Sequence, residues 1–486
     1  MSRLEPLQDW WPSIQNRKSK IENWYKPSSS QIIHWRLQIP VQVSKLFRFS
    51  TTPTHSHQTP QASVRPIAAP IVSIITQFFP PDYAPTGQLL DELSQQLETQ
   101  GFQIEIFTSQ PGYAFQDQSA PRHEQTNHRS IRRSRTASIW PQRIRGKAIN
   151  GILFCLRAGL HLIKLAKRSD TILVTTAPPF LPMLGYLIYR IFKKPYICLL
   201  YDLYPDIAIN LGVIHPDHWI ARLWSTVNYH IWKDAERIIV LSSTMRDRIL
   251  EKHPTLAPKI SVIHSWADPN WIIPIEKHRN WFAWKHHLVE SFTVLYSGNM
   301  GRCHDIETLL QAAQLLKHDP IKFVIIGSGA RYKILKETVA EQGLHNFRFL
   351  PYQEKYDLPY SLTACDLALV SVSPGMEGLV APSKLYAALA SGRPVAAICE
   401  SHSYLIELIA SAECGAAFQN GDAQGLASFI RFLSHHPQQT HRLGQAGRHY
   451  LKSHFTPEII AHQYAEAFGY SLVPSSVSGQ SVTSPL

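Results

Sequence analysis

The sequence predicts an α/β protein of two Rossmann-like domains facing each other across a cleft. Three observations carry this. The chain has 486 residues, which is too long for one ordinary core and suits two domains with tails. Short buried-strand runs alternate with helical patterns, as in doubly wound parallel sheets. The alternation also occurs twice, with a Pro-, Trp- and His-containing break near 270–290.

The first series opens with IVSIITQFF (71–79), a buried-strand run followed by the turn-rich PPDYAPTGQ. A helical pattern from Leu89 to Thr99 stops at Gly101, and QIEIFT (103–108) is the next strand. Strand, helix and strand of this length imply a right-handed parallel crossover. Residues 110–145 read as a polar, basic insertion. The alternation then resumes: helix 147–168, strand TILVTT, helix 180–193, strand YICLLYD, helix 217–233, strand RIIVLS and a helix from Ser243, with ISVIHSWAD closing the domain. The second series runs through FTVLYSG (292–298), KFVIIG, FRFLPY, LALVSV, PVAAIC and GAAFQ, and ends in helices near 422–435, 438–452 and 456–468. The expected organisation is a weakly ordered extension over 1–70, a first domain over 71–270, a second over 291–455, a closing helix at 456–470 and a polar tail at 471–486.

Lys plus Arg exceed Asp plus Glu, 48 against 36, and the excess is concentrated. Between Arg122 and Arg168 stand twelve basic residues and one acid, Glu124. Such a block suits an acidic partner such as phospholipid headgroups, nucleic acid or a phosphorylated substrate. No aromatic-interleaved nucleic-acid motif accompanies it, which disfavours that partner. Within the block, GKAINGILFCLRAGLHLIKLAKR has the spacing of a basic amphipathic helix, or of a crossover helix resting on the sheet. The polar half, RSIRRSRTASIWPQRIR, has no evident core role, so contact with an anionic membrane surface is expected. Cysteines at 155, 198, 303, 365, 399 and 414 show no C-x-x-C or metal-ligand spacing and read as buried thiols in a reducing compartment. No H-E-x-x-H pair occurs, and neither a metal site nor a cofactor is expected. MSRLEPLQDW lacks an apolar signal region, and Pro179 to Phe192, broken by Arg190, is too short to span a bilayer.

Ligands of open parallel sheets bind beyond the carboxyl ends of the strands, so the loops that follow strands are where chemistry is sought. In SGNMGRCHD (297–305), Gly298 and Gly301 let the backbone approach a ligand, and Arg302 suits phosphate; a tight turn with a surface arginine is the alternative. GSGAR (327–331) repeats the pattern with Gly327 and Gly329, which also fits glycines needed only for packing. In PGMEGLVAPSKLYAALASGRPVAAI (374–398), Glu377 precedes a helix start at Pro382, Ser383 and Lys384. A carboxylate there suits sugar hydroxyls, and the helix N-terminus suits phosphate. In YDLYPDIAINLG (201–212), Asp202 leaves a strand end and either accepts a proton from an acceptor hydroxyl or caps a turn.

These stretches together resemble the retaining glycosyltransferases of the GT-B fold, in family 4 (glycosyl transferases group 1). The resemblance is to the branch with colanic-acid and O-antigen amino-sugar transferases of bacterial surface polysaccharide synthesis. It spans about 71–468 and rests on six ordered matches: FFPPDYAPTGQLLDELSQQLETQGFQIEIFTSQPGY, DLYPDIA, SGNMGRCHD, the G-S-G turn, PSKLYAALASGRPVAA and ECGAAFQNGDAQGL. It implies a nucleotide-diphosphate sugar donor and a lipid-linked saccharide acceptor, which suits the expected placement of the first domain on the cytoplasmic face of a membrane through the basic block from Arg122 to Arg168. It places Gly87 in the cleft loop of the first domain and Gly298, Asn299, Gly301 and Arg302 at the donor pyrophosphate. Glu377 would hold the donor sugar, and Pro382, Ser383 and Lys384 would lie over the diphosphate. The closing helix would brace the first domain.

The sequence departs from that pattern where the family's second glutamate, which grips the ribose, would stand: Ala387 or Leu385 takes its place, depending on alignment. Asn299 replaces the usual phosphate arginine. The absence of an Asp-x-Asp triplet disfavours metal-dependent GT-A chemistry. A nucleotide-sugar epimerase of the same fold and a non-catalytic scaffold for a membrane assembly are the rival readings.

Overall fold

The computed structural model describes residues 69–82, 84–111, 120–134 and 144–470. The expected extension, apart from its last two residues, and the expected tail from 471 lie outside the described residues.

The first sheet takes β1 (Ile71–Ile75), β2 (Gln103–Ser109), β3 (His123–Gln125), β4 (Arg129–Ser134), β5 (Thr171–Thr175), β6 (Tyr196–Leu200), β7 (Arg237–Val240) and β8 (Ile260–Val262). Its order is β3-β4-β2-β1-β5-β6-β7-β8, parallel except for β3 against β4. Its helices are α1 (Pro85–Thr99), α2 (Ile144–Leu165), α3 (Pro182–Phe192), α4 (Asp206–Asn210), α5 (Trp219–Asp234) and α6 (Ser243–Lys252). After α7 (Trp281–Lys285), the second sheet takes β9 (Phe292–Ser297), β10 (Ile321–Ile326), β11 (Phe347–Leu350), β12 (Leu367–Ser371), β13 (Val395–Cys399) and β14 (Gly415–Gln419). Its order is β11-β10-β9-β12-β13-β14, all parallel. Its helices are α8 (Glu307–Leu315), α9 (Ala330–Glu341), α10 (Leu358–Thr363), α11 (Lys384–Ala390), α12 (Tyr404–Ala412), α13 (Ala423–His435) and α14 (Pro437–His454), and α15 (Pro457–Ala467) follows them.

Strands β5, β6, β12 and β13 are buried at every residue, which is why they read as unbroken apolar runs rather than alternations. Helix α1 lays Leu90, Leu93 and Leu97 on the sheet, and Gly101, at φ 89°, turns the chain into β2. In each sheet the strand order reverses once, between β1 and β5 and between β9 and β12. These switch points open crevices where the loops after the strands diverge.

Two segments differ from expectation. The supposed insertion extends the sheet: RSIRRS is β4, parallel to β2, with β3 on its outer edge. Strand alternation turns Ile131 and Arg133 to the inner face, and both are buried. Arg133 is tolerated there because it pairs with Glu124 and donates to the carbonyls of Pro121 at 2.9 Å and Pro80 at 2.6 Å. Arg129 pairs with Asp91 of α1 at 2.6 Å. The basic strand therefore has a core role, and two of its cations are paired with carboxylates within the fold. The break near 270–290, read as a linker, also packs: Asn280 caps α7 through the amide of Phe282, and Phe282, Ala283 and Leu288 bury against Leu295, Val324 and Ile326.

Helix α15 returns to the first domain, where Phe468 meets Phe102 edge-on at 6.3 Å and Tyr464 meets Trp266 at the same centroid distance. The Trp266 indole donates to Glu92 of α1 at 3.0 Å.

Candidate functional site

The carboxyl ends of the two sheets meet. Asp202, two residues past β6, bridges Val380 antiparallel, and the amide of Leu203 donates to the Leu379 carbonyl at 3.0 Å. The Asn210 side chain donates to the carbonyl of Gly375 at 2.5 Å. The loop after β12 is thus stitched to the loop after β6.

On the second sheet, Lys384 begins α11 beside the β9–α8 loop. Its Cε lies 3.1 Å from where a Cβ would stand on Gly298, which has φ 119°. A side chain at Gly298 would be strained and would crowd the lysine. The Lys384 ammonium sits 5.2 Å from the ring centre of Tyr296, and burial pushes its pKa down to about 8. It pairs with no carboxylate among the described residues, so a cation stands ready for an anionic ligand. Ahead of it, Pro382 is buried, and Ser383 makes no side-chain bond to cap the helix.

The turn after β10 supports this loop from behind. The amide of Met300 donates to the Ser328 carbonyl at 2.8 Å, and that of Arg331 to the Met300 carbonyl at 3.0 Å. Gly327 (φ 130°) abuts the Gly298 carbonyl, and Gly329 (φ 133°) abuts the Met300 carbonyl and the Asn299 side chain, with no room for a Cβ. Gly301 is different: the nearest atom to its Cβ position is Asn299 Nδ2 at 3.5 Å. Arg302 is exposed and lines a cleft of about 460 Å³ with Asn210, Leu211, Ser373, Pro374 and Asn420.

Glu377 is 1% exposed. Its Oε1 accepts from the Thr244 hydroxyl of α6 at 2.7 Å, and its Oε2 is buried without a partner. Asp202 is half-buried, and burial raises its pKa to about 6. Its charge helps raise the neighbouring Cys303 thiol, though burial is the larger cause. Gly87, in the first turn of α1, lies against the backbone of Phe78 and Phe79, where an added Cβ would come within 2.9 Å. It shapes the loop at the β1–β5 switch point.

Sequence reasoning missed Thr244, Tyr296 and His304. His304 Nδ1 donates to the Ser371 carbonyl at 2.9 Å, and burial, reinforced by Lys384, lowers its pKa to about 3. It is therefore a neutral ring that turns its Nε2 acceptor away from that bond. Tyr296 and His304 both lie inside the FTVLYSGNMGRCHD stretch and were within reach of the sequence. Thr244 was not, because its partner is 133 residues distant. Of the two residues aligned with the family's second glutamate, Leu385 is fully buried and Ala387, one turn from Lys384, is half-buried and packs against the core.

Comparisons with known proteins bear on the family and the fold. Residues 279–450 match the family described as "Glycosyl transferases group 1", and 86–271 match "Glycosyltransferase Family 4". The probable glycosyltransferase WbjE of Pseudomonas aeruginosa is 29% identical over 326 residues, which cover 65% of this chain and 79% of that protein. The putative colanic acid biosynthesis glycosyl transferase WcaI of Escherichia coli K12 is 35% identical over 115 residues, 24% of this chain and 28% of that protein. Among solved structures, Anabaena HepE in complex with UDP and glucose superposes with a TM-score of 0.60 at 16% identity, covering 82% of this chain and 99% of that one. The chain belongs to the group 1, family 4 glycosyltransferases and has their GT-B fold.

Proposed function

We propose that the protein moves a hexosyl or N-acetylhexosaminyl group from a nucleotide-diphosphate sugar to a hydroxyl of a lipid-linked saccharide, with retention of configuration and without a metal, in surface polysaccharide synthesis. The observation that carries this is the half-buried Lys384 ammonium, which has no carboxylate partner among the described residues and lies against Gly298 in the loop after β9. Lys384 and the backbone of the Gly298–Arg302 loop, Asn299 and Gly301 included, stabilise the departing diphosphate. The free Oε2 of Glu377 accepts from a donor-sugar hydroxyl, which removes an unsatisfied buried acceptor. Asp202, ionised above about pH 6, accepts the proton of the attacking hydroxyl or orients it. HepE, whose structure holds UDP and glucose, and the relative named for colanic acid biosynthesis support the substrate classes.

The placement at the inner face of a membrane has support of its own. Among the described residues no helix is long and apolar enough to cross a bilayer. However, α2 turns Ile152, Leu156, Leu160 and Ile163 outward, with Leu156 and Leu160 more than 60% exposed, and neighbouring α3 exposes Leu187 and Ile191. The outer face of a crossover helix is ordinarily polar. Here it is an apolar ridge flanked by exposed Lys164, Lys167, Arg168, Arg190 and Lys193, with no acid in 144–168 or 182–194. That composition suits an anionic lipid interface.

The test is calorimetric binding and acceptor-free hydrolysis with UDP-glucose, UDP-N-acetylglucosamine and GDP-mannose. Binding with slow release of free sugar supports the reading. No binding of any of the three, or conversion of the donor to an epimer, contradicts it.

A further inference from the structure

We propose that Thr244, on the first domain, is a positioning residue for Glu377 on the second, so that the carboxylate is set for the donor sugar only when the two domains are docked. This rests on the assignment of Glu377 to the donor sugar. Thr244 is the second residue of α6, and the helix is capped by Ser242, whose hydroxyl accepts from the Met245 amide at 3.1 Å. The Ser242 hydroxyl also lies 3.1 Å from that of Thr244, whose own proton goes to Glu377 Oε1 at 2.7 Å. The cap thus sets the direction of the Thr244 hydroxyl, and the positive end of the helix favours the carboxylate beside it.

The loop carrying Glu377 is held to the same helix by its backbone. Arg248 donates to the Glu377 carbonyl at 3.3 Å. Gly378, at φ 72°, brings its Cα so close that a Cβ would fall 2.6 Å from the Thr244 carbonyl. The Gly375 amide donates to Glu400 at 3.0 Å, which ties the other end of the loop to its own domain. With Oε1 committed to Thr244, the carboxylate has one rotational setting, and it leaves Oε2 as the free acceptor. Without the hydroxyl, Glu377 keeps its place in the loop but loses that setting.

The experiment compares Thr244→Val, Thr244→Ser, Glu377→Gln and the Thr244→Val/Glu377→Gln pair in the full chain. It reads kcat for hydrolysis of whichever of UDP-glucose, UDP-N-acetylglucosamine and GDP-mannose is turned over, together with calorimetric affinity for the matching free nucleoside diphosphate. Thr244→Val is expected to lower kcat about tenfold, with nucleoside diphosphate affinity and melting temperature near those of the wild type. Thr244→Ser is expected to restore most of the rate, and the double variant to be little worse than Glu377→Gln, because the two residues act as one unit. Wild-type kcat in Thr244→Val, an equal loss in Thr244→Ser, or independent losses that multiply in the double variant would overturn the inference. Wild-type kcat in Glu377→Gln would instead remove the donor-sugar assignment on which it rests.

Discussion

The Lys384 side chain runs across the face of Gly298, 86 positions earlier in the chain, with its Cε 3.1 Å from the missing Cβ. Neither residue is informative alone. Adjacent strands β9 and β12 bring their following loops together, and the contact makes a cation-lined backbone cradle at a switch point.

The turn behind the cradle tolerates no side chain. Gly327→Ala places a Cβ at φ 130° against the Gly298 carbonyl, so it is expected to cost about 1–3 kcal/mol and to weaken nucleotide-sugar binding with it. Gly301→Ala, whose Cβ would meet its neighbours only at ordinary contact distance, is the control and should melt like the wild type. Equal melting temperatures for the two variants would contradict the packing argument.

The pH profile of transfer should be a bell. Asp202 must lose its proton to act on the acceptor hydroxyl, so the rate rises through about pH 6; Lys384 must keep its proton, so the rate falls above about pH 8. Asp202→Asn should lower transfer, abolish the acid limb and spare donor binding. Lys384→Arg should push the alkaline limb beyond the accessible range. A full-rate Asp202→Asn enzyme with the limb intact would reduce Asp202 to the turn cap.

Membrane binding should depend on the apolar ridge more than on the basic strand. Arg133 is buried and paired with Glu124, while Arg135, Arg143 and the side chain of Arg145 lie outside the described residues. Replacing Leu156, Leu160 and Ile191 by Ser should abolish co-sedimentation with phosphatidylglycerol-containing vesicles and leave soluble-donor hydrolysis unchanged. Neutralising Lys164, Lys167 and Arg168 should weaken binding at low salt, since each cation near an anionic surface contributes about 1 kcal/mol. Unimpaired vesicle binding by the Ser variant would move the contact elsewhere.

Much of this fold was readable in the sequence because its central strands are buried on both faces, and runs such as YICLL and VAAIC admit no competing period. RSIRRS was misread for the opposite reason. Its alternation is real, but its inward positions include an arginine whose partners come from Pro80, Pro121 and Glu124. Charge pointed outward while hydrogen bonding carried the residue inward. The packed stretch near Asn280 was hidden similarly, since Pro, Trp and His mask a short capped helix. Individual site motifs were legible as strand-end glycines and a Pro-Ser-Lys start. Their pairing was not: the seat of Lys384 on Gly298 and the hold of Thr244 on Glu377 follow from tertiary proximity alone.

The central claim is that Lys384, seated on Gly298, holds the donor diphosphate. The measurement is calorimetric affinity of Lys384→Met for the nucleotide sugar bound by the wild type, with Arg302→Ala alongside. Met keeps the buried stem and removes the charge. A charge-assisted phosphate contact is worth roughly 1.5–3 kcal/mol, so Lys384→Met should bind at least about tenfold more weakly, with a smaller loss for exposed Arg302→Ala. Unchanged affinity in a folded Lys384→Met protein would contradict the account.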